Sequence, residues 1–275
     1  MINSTPQVVT IAGSDSGGGA GAQADLKTFQ ACQVFGTSIF VALTAQNTLG
    51  VQAVHPVPTE FIKAQFESLA SDLHIRAAKT GMLADSRIVQ AVVESYKVSN
   101  FGPLVVDPVM IAKGGHPLLA EEAIETIKEK LLPIATVCTP NLPEAECLVG
   151  HPLQTREEIV EAARYLQGLG SKNIIIKGGH SQGDTVRDYV LLEDGTSFWM
   201  LAPRIASTAT HGTGDTFSAC ITAELAKGKD LREAIIIARR FIQGAIADRI
   251  FVGHGHGPTN HWANLSEDVI VEESV

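Results

Sequence analysis

Val8-Val9-Thr10-Ile11-Ala12 runs into Gly13-Ser14-Asp15-Ser16-Gly17-Gly18-Gly19-Ala20-Gly21, and residues 22–34 (AQADLKTFQACQV) then take up helical spacing. A short β-branched run, a turn of small residues and an amphipathic segment make one strand–turn–helix unit. The unit recurs along the chain. Residues 38–44, 104–107, 136–139 and 173–177 read as strands, and 59–72, 86–98, 120–131 and 156–168 have helical spacing. Residues 186–192 and 196–201 flank Asp194-Gly195, the signature of a β-hairpin. Segments 214–227 and 231–249 read as closing helices. Alternation of this kind predicts an α/β fold: a mostly parallel central sheet, helices on both faces, and a small antiparallel edge. No internal repeat, linker or composition shift divides the chain, so residues 1–275 are expected to form a single domain.

Composition removes several classes. With 45% hydrophobic and 19% charged residues, a 275-residue chain is neither disordered nor a coiled coil or fibre. The formal charge of −9 and an aromatic content of 5% argue against nucleic acid as a partner. Cys32, Cys138, Cys147 and Cys220 form no C-x-x-C pair, which leaves free thiols in a reducing compartment. No apolar run approaches the ~18 residues of a membrane span. The first basic residue is Lys27, so no charged signal region or Arg-rich transit sequence is expected, and a cytoplasmic location follows.

Ligands of an open parallel sheet bind beyond the carboxyl ends of its strands. The unusual residues fall there: the Gly13–Gly21 stretch, Gln46-Asn47-Thr48, Asp107-Pro108, Asn141-Leu142-Pro143-Glu144 and Lys177-Gly178-Gly179-His180. Gly17 to Ala22 matches G-x-G-x-x-A, a dinucleotide fingerprint, but no Asp or Glu occurs between Leu26 and Val57 to hold a ribose. It is not a Walker A loop either. A tight turn that lets substrate approach the backbone is the better reading. The second glycine loop, His211-Gly212-Thr213-Gly214-Asp215-Thr216, opens a clear helical pattern. Small residues at a helix N-terminus aim several N–H groups at one spot and make an anion hole. Asp215 beside that hole reads as a general base for phosphoryl transfer, an N-cap, or both.

Gly-Thr-Gly-Asp before a helix, with Asn141-x-x-Glu144 upstream, resembles the ribokinase-like superfamily of ATP-dependent kinases. Within it, 12–21, 23–28, 45–48, Lys79-Thr80-Gly81-Met82-Leu83, Asp107-Pro108-Val109-Met110, 139–145, 177–180 and 257–261 are similar to the hydroxymethylpyrimidine/phosphomethylpyrimidine kinases of thiamine synthesis. The resemblance implies a ribokinase-like three-layer sandwich and ATP-dependent phosphorylation of 4-amino-5-hydroxymethyl-2-methylpyrimidine, with its monophosphate as a further candidate. The alternative on the same scaffold is a pyridoxal/pyridoxine kinase. It also implies ATP and Mg2+ and a homodimer. Position 215 departs from the pattern: this family usually carries cysteine there, the sugar kinases aspartate. An aspartate keeps the base role but cannot form a thiohemiacetal with an aldehyde substrate.

Under that resemblance Asp215 deprotonates the substrate hydroxyl, and the amides of Gly212, Thr213 and Gly214 receive the phosphoryl charge. Asp107 and Glu144 organise Mg2+. Asn141 touches phosphate or water, or caps a helix. Lys177, at the end of a buried-looking strand, is expected on an ATP phosphate, with Thr208 and Thr210 beside the nucleotide. Gln46 offers the donor–acceptor pair that matches an aminopyrimidine edge. Met82 and Val109 would wall the ring, and Gly13 and Asp15 complete the substrate side. Residues 110–116 have the glycine content of a movable flap. His254, His256 and His261 lack the carboxylate or cysteine partners that would make their spacing a metal site.

Overall fold

The computed structural model describes residues 2–110, 121–180 and 183–274, so the flap expected at 110–116 lies, after Met110, outside the described residues. One sheet carries strands β1 (Gln7–Gly13), β2 (Phe35–Asn47), β3 (Gly50–Pro56), β4 (Ile75–Thr80), β5 (Leu104–Val106), β6 (Val137–Cys138), β7 (Asn173–Ile176), β8 (Thr185–Leu191), β9 (Ser197–Pro203) and β10 (Ile270–Glu273). Their order is β10-β9-β8-β7-β6-β5-β4-β1-β2-β3. β2, β1, β4, β5, β6 and β7 run parallel, with registers such as Ile11 against Ile39 and Val106 against Cys138. Antiparallel strands flank this block on both sides: β3 beyond β2, and β8, β9 and β10 beyond β7.

Helices cover both faces. α2 (Thr59–Asp72), α3 (Ser86–Ser99), α4 (Glu121–Thr126), α5 (Leu142–Val149) and α6 (Arg156–Gly168) bury Ile62, Phe66, Ile88, Val92, Leu148 and Leu166 on one side. α1 (Gly21–Ala31), α7 (Thr213–Ala226) and α8 (Leu231–Ala247) bury Phe29, Phe217, Ile221, Ile235 and Phe241 on the other. Parallel strands covered on both faces are apolar throughout, and β1 is buried at all seven positions. The helix expected at 120–131 changes pitch: after α4 come a π turn at Ile127–Leu131 and a 3-10 turn at Leu132–Ile134. Pro133 cannot donate to an α-helical ladder, which is why the helix ends there.

The hairpin expected around Asp194-Gly195 is present as β8 and β9, whereas the end of the second strand differs from the sequence reading. Gln46 and Asn47 lie within β2 rather than in a loop after it, and β3 returns antiparallel from Gly50. β4, α5 and β10 are further elements that the alternation did not reveal.

Candidate active site

All the expected clusters meet at the carboxyl rim of the parallel strands. The loop after β1 folds around Asp15. Its Oδ1 accepts from the Gly17 N–H at 2.8 Å, and its Oδ2 from the Gly19 and Ala20 N–H groups at 3.1 and 2.9 Å. His211 Nε2 lies 2.8 Å from the same Oδ2. Burial pushes this carboxyl up, but His211 and the loop N–H groups outweigh it and hold Asp15 below the ordinary carboxylate range. Asp15 therefore spends its oxygens on its own loop and on His211. Gly13 donates its N–H to the Met82 carbonyl at 3.1 Å, which sets Met82 beside the loop. Gln46 comes to the same corner, with Nε2 3.4 Å from His211 Nε2. Val109, half-buried, follows Asp107 on the next strand end.

Gly212 is the N-cap of α7 and stands at φ +79°, a left-handed conformation that glycine adopts without strain. A side chain there would drive its Cβ to 2.0 Å from the Gly19 carbonyl oxygen, so the two glycine loops touch backbone to backbone. No side chain caps α7. The capping reading of Asp215 is thereby corrected: Asp215 is the third residue of the helix, and its Oδ1 lies 2.9 Å from Lys79 Nζ. Lys79 is fully buried on β4 and reaches Asp25 of α1 at 2.7 and 2.8 Å. Burial alone would raise the Asp215 carboxyl. The Lys79 ammonium, the Gly21 backbone N–H and the positive edge of His211 hold it below its ordinary value, so it is a carboxylate at neutral pH.

On the other side of the same helix start, Lys177 Nζ lies 2.8 Å from Asp107 Oδ1, which also accepts from the Thr139 hydroxyl at 3.2 Å. A Cβ at Gly214 would stand 3.0 Å from Asp107 Oδ2 and 3.3 Å from Lys177 Nζ, so this pair abuts the first turn of α7. Asn141 and Glu144 form a reciprocal capping box on α5. Glu144 Oε2 accepts from the Asn141 N–H at 2.8 Å, and Asn141 Oδ1 from the Glu144 N–H at 2.9 Å. Burial pushes Glu144 up to about 7 against the pull of Lys177. Asp107 Oδ2, turned towards Gly214, and the Glu144 carboxyl offer only hard oxygen donors, a set that fits Mg2+ with waters completing its shell. Thr208 is exposed and Thr210 half-buried on the approach to His211.

Three residues here carried no role in the sequence reading: Lys79, Asp25 and His211. The two former lay inside quoted motifs, as did His211 at the head of the second loop. The histidines of the C-terminal segment do not converge: His254 and His256 are exposed, whereas His261 is buried against Thr216 and Thr259.

Residues 15–260 match the family model described as phosphomethylpyrimidine kinase. The hydroxymethylpyrimidine/phosphomethylpyrimidine kinase of Haemophilus influenzae is 54% identical over 265 residues, which cover 95% of this chain and 98% of that one. The thiamine biosynthesis bifunctional protein ThiED of Geobacter sulfurreducens is 47% identical over 256 residues, 92% of this chain and 52% of the longer relative. Among solved structures, the pyridoxal kinase of Staphylococcus aureus in complex with AMP-PCP and pyridoxal superposes with a TM-score of 0.88 at 36% identity, covering 98% of this chain and 100% of that one. A family model that matches residues 15–260, and a named kinase more than half identical over nearly the full length of both chains, leave no doubt of kinship even with aspartate at position 215: the chain belongs to the phosphomethylpyrimidine kinase family.

Proposed function

We propose that this kinase transfers the γ-phosphoryl group of ATP to the hydroxymethyl oxygen of 4-amino-5-hydroxymethyl-2-methylpyrimidine for thiamine synthesis, with the monophosphate as a further acceptor. The observation that carries the reading is Asp215, held as a carboxylate at the mouth of α7 with the Lys177–Asp107 pair alongside. Asp215 takes the hydroxyl proton as the oxygen attacks phosphorus, and ADP departs from the opposite side. The N–H groups of Gly212, Thr213 and Gly214, with the helix dipole behind them, receive the charge of the moving phosphoryl group. Lys177 neutralises nucleotide phosphate, and Asn141, Thr208 and Thr210 line its approach. Mg2+ held by Asp107 and Glu144 would offset phosphate charge on ATP. On the acceptor side Gln46 reads the ring edge, Met82 and Val109 flank it, and the Gly13–Asp15 turn closes the pocket floor.

The reading treats residues 1–275 as one kinase domain acting in the cytoplasm as a homodimer. Leu43, Leu49, Val51 and Val54, exposed on the β2–β3 hairpin, offer a second copy an apolar surface. Among the described residues no helix is long and apolar enough to cross a membrane.

Pyridoxal is the second acceptor to consider, because the Staphylococcus aureus neighbour is named for it. ADP release measured with the aminopyrimidine, its monophosphate, pyridoxal or ribose, each with Mg·ATP, separates the readings. Turnover is expected with the aminopyrimidine. Turnover with pyridoxal alone would transfer the enzyme to vitamin B6 salvage, and turnover with ribose alone would make it a sugar kinase. In the same assay Asp215→Asn should lower kcat by about 10²–10⁴ while the protein stays folded. A fully active Asn variant ends the base assignment.

A further inference from the structure

Behind the first turn of α7 three charged groups share one buried contact. Lys79 Nζ lies 2.7 and 2.8 Å from the two oxygens of Asp25 and 2.9 Å from Asp215 Oδ1. The side chains of Lys79 and Asp25 are wholly buried, and only Asp215 reaches the site, 14% exposed. Thr10 donates its hydroxyl to Asp25 Oδ2 at 2.6 Å, which fixes the far end of the row. At Gly81 a Cβ would stand 3.2 Å from Lys79 Nζ and 3.7 Å from Asp215 Oδ1, so nothing screens the ammonium from that carboxylate.

One cation and two carboxylates cannot all be satisfied equally. A buried Lys–Asp pair is neutral, and the pair of Lys79 with Asp25 would be complete without position 215. An aspartate at 215 adds one negative charge to the cluster, and the two carboxylates compete for one ammonium. We propose that Lys79 is a positioning residue for Asp215, aiming its carboxylate and keeping it ionised, and that Asp25 sets how much of the ammonium's charge remains for that task. The inference rests on the reading of Asp215 as the base.

The surroundings favour Asp215 as the ionised partner. Asp215 has the helix start and the Gly21 N–H, whereas burial drives Asp25 up to about 7 despite Lys79. The other charged groups that act on the cluster are Asp107, from the end of β5, on Lys79, and His211 on Asp215; Asp215 in turn acts on Lys177 and His261. A surplus proton therefore settles on Asp25, and the carboxylate facing the site stays charged.

Removing Lys79 should weaken the hold on the group at position 215, and removing Asp25 should strengthen it only at a pH where Asp25 is ionised, near 7 and above. In the full-length enzyme, Lys79→Gln should raise the acidic limb of the kcat–pH profile by about one unit or more with the KM for ATP unchanged, whereas Asp25→Asn, which replaces a carboxyl already protonated where Asp215 titrates, should leave that limb in place. An acidic limb that stays put in a folded Lys79→Gln enzyme, or that rises in Asp25→Asn, overturns the proposal. That variant leaves a neutral Lys79–Asp215 pair and strands no charge, so the test stands even if Lys79→Gln does not fold. A second readout needs no catalysis. In an Asp215→Cys background, the pH at which iodoacetamide alkylates the introduced thiol, followed by peptide mass so that Cys32 and Cys147 do not contribute, should fall when Asp25→Asn is added. An unchanged thiol titration overturns the sharing of Lys79, whatever becomes of the base assignment, which Asp215→Asn tests separately.

Discussion

His211 stands between two side chains that the sequence presents 31 positions apart, Asp15 and Gln46. Its Nε2 is 2.8 Å from an Asp15 oxygen and 3.4 Å from the Gln46 amide nitrogen. A ring N–H committed to the carboxylate has no second proton to trade with Gln46, so the carboxamide is left able to turn towards a ring edge. Gln46→Ala should then raise the KM for the aminopyrimidine about tenfold or more, since a paired contact in a dry pocket is worth roughly 1–3 kcal/mol. The KM for ATP should hardly change; steady-state kinetics with each substrate varied in turn checks this, and equal effects on both would make Gln46 a scaffold residue. At this scale the sequence exposed residues with a chemical reason for their places: Asp107, Asn141 and Lys177 after strands, and Asp215 at a helix start. It did not expose Lys79 or Asp25. A lysine inside a strand reads as solvent-facing and an aspartate inside a helix as surface, because charged side chains are rarely fully buried. Only the fold brings the two together and removes the cost of burying each.

Gly214 belongs to the first turn of α7, where alanine is intrinsically the better helix former by about 1 kcal/mol. Its Cβ would nonetheless meet Asp107 Oδ2 at 3.0 Å and Lys177 Nζ at 3.3 Å. Gly214→Ala should therefore leave the melting temperature unchanged or higher and lower kcat about tenfold or more, as the Lys177–Asp107 pair is displaced from the helix mouth. A melting curve and a kcat measured on the same preparation check the split; equal losses in both would show a folding defect. Element boundaries were clearest where periodicity is long: α2 and α6 appear as the spacing predicts them, at Thr59–Asp72 and Arg156–Gly168. β4 escaped because Ala77, Ala78 and Lys79 are poor strand formers, and its pairing with β1 and β5 overrides propensity. α5, eight residues long, is too short to show a period, although its Asn141–Glu144 capping box is a recognisable helix start.

Across the whole molecule, residues 257–261 return over the start of α7 and fasten it to the rest of the fold. His211 and Pro258 form a parallel bridge, Asn260 donates its N–H to the Ala245 carbonyl of α8 at 3.1 Å, and His261 Nε2 lies 3.1 Å from the Thr216 hydroxyl. His261 is therefore a lock between the C-terminal segment and the helix that carries Asp215. Burial, with the Lys27 charge added, lowers its pKa from 6.5 to about 4. A base depressed in the folded state binds its proton more readily when unfolded. Its contribution is thus intact above pH 6.5 and is lost as pH falls from there through about 4. A shift of this size corresponds to a loss on the order of 3 kcal/mol at the acid end. Asp15 and Asp215, both depressed below 3.8, contribute their own acid sensitivity only beneath that window. Asp25 and Glu144, both raised to about 7, work the other way and gain stability as pH falls through the same window. The His261 contribution is therefore read as a difference between two proteins: His261→Gln, which keeps a side-chain amide near Thr216 but cannot take a proton, should gain stability relative to wild type between pH 6.5 and about 4 and leave the fall at lower pH in place. Urea unfolding of wild type and variant at half-unit pH steps measures both slopes, and parallel curves across that window would show that protonation of His261 is not what loosens the segment.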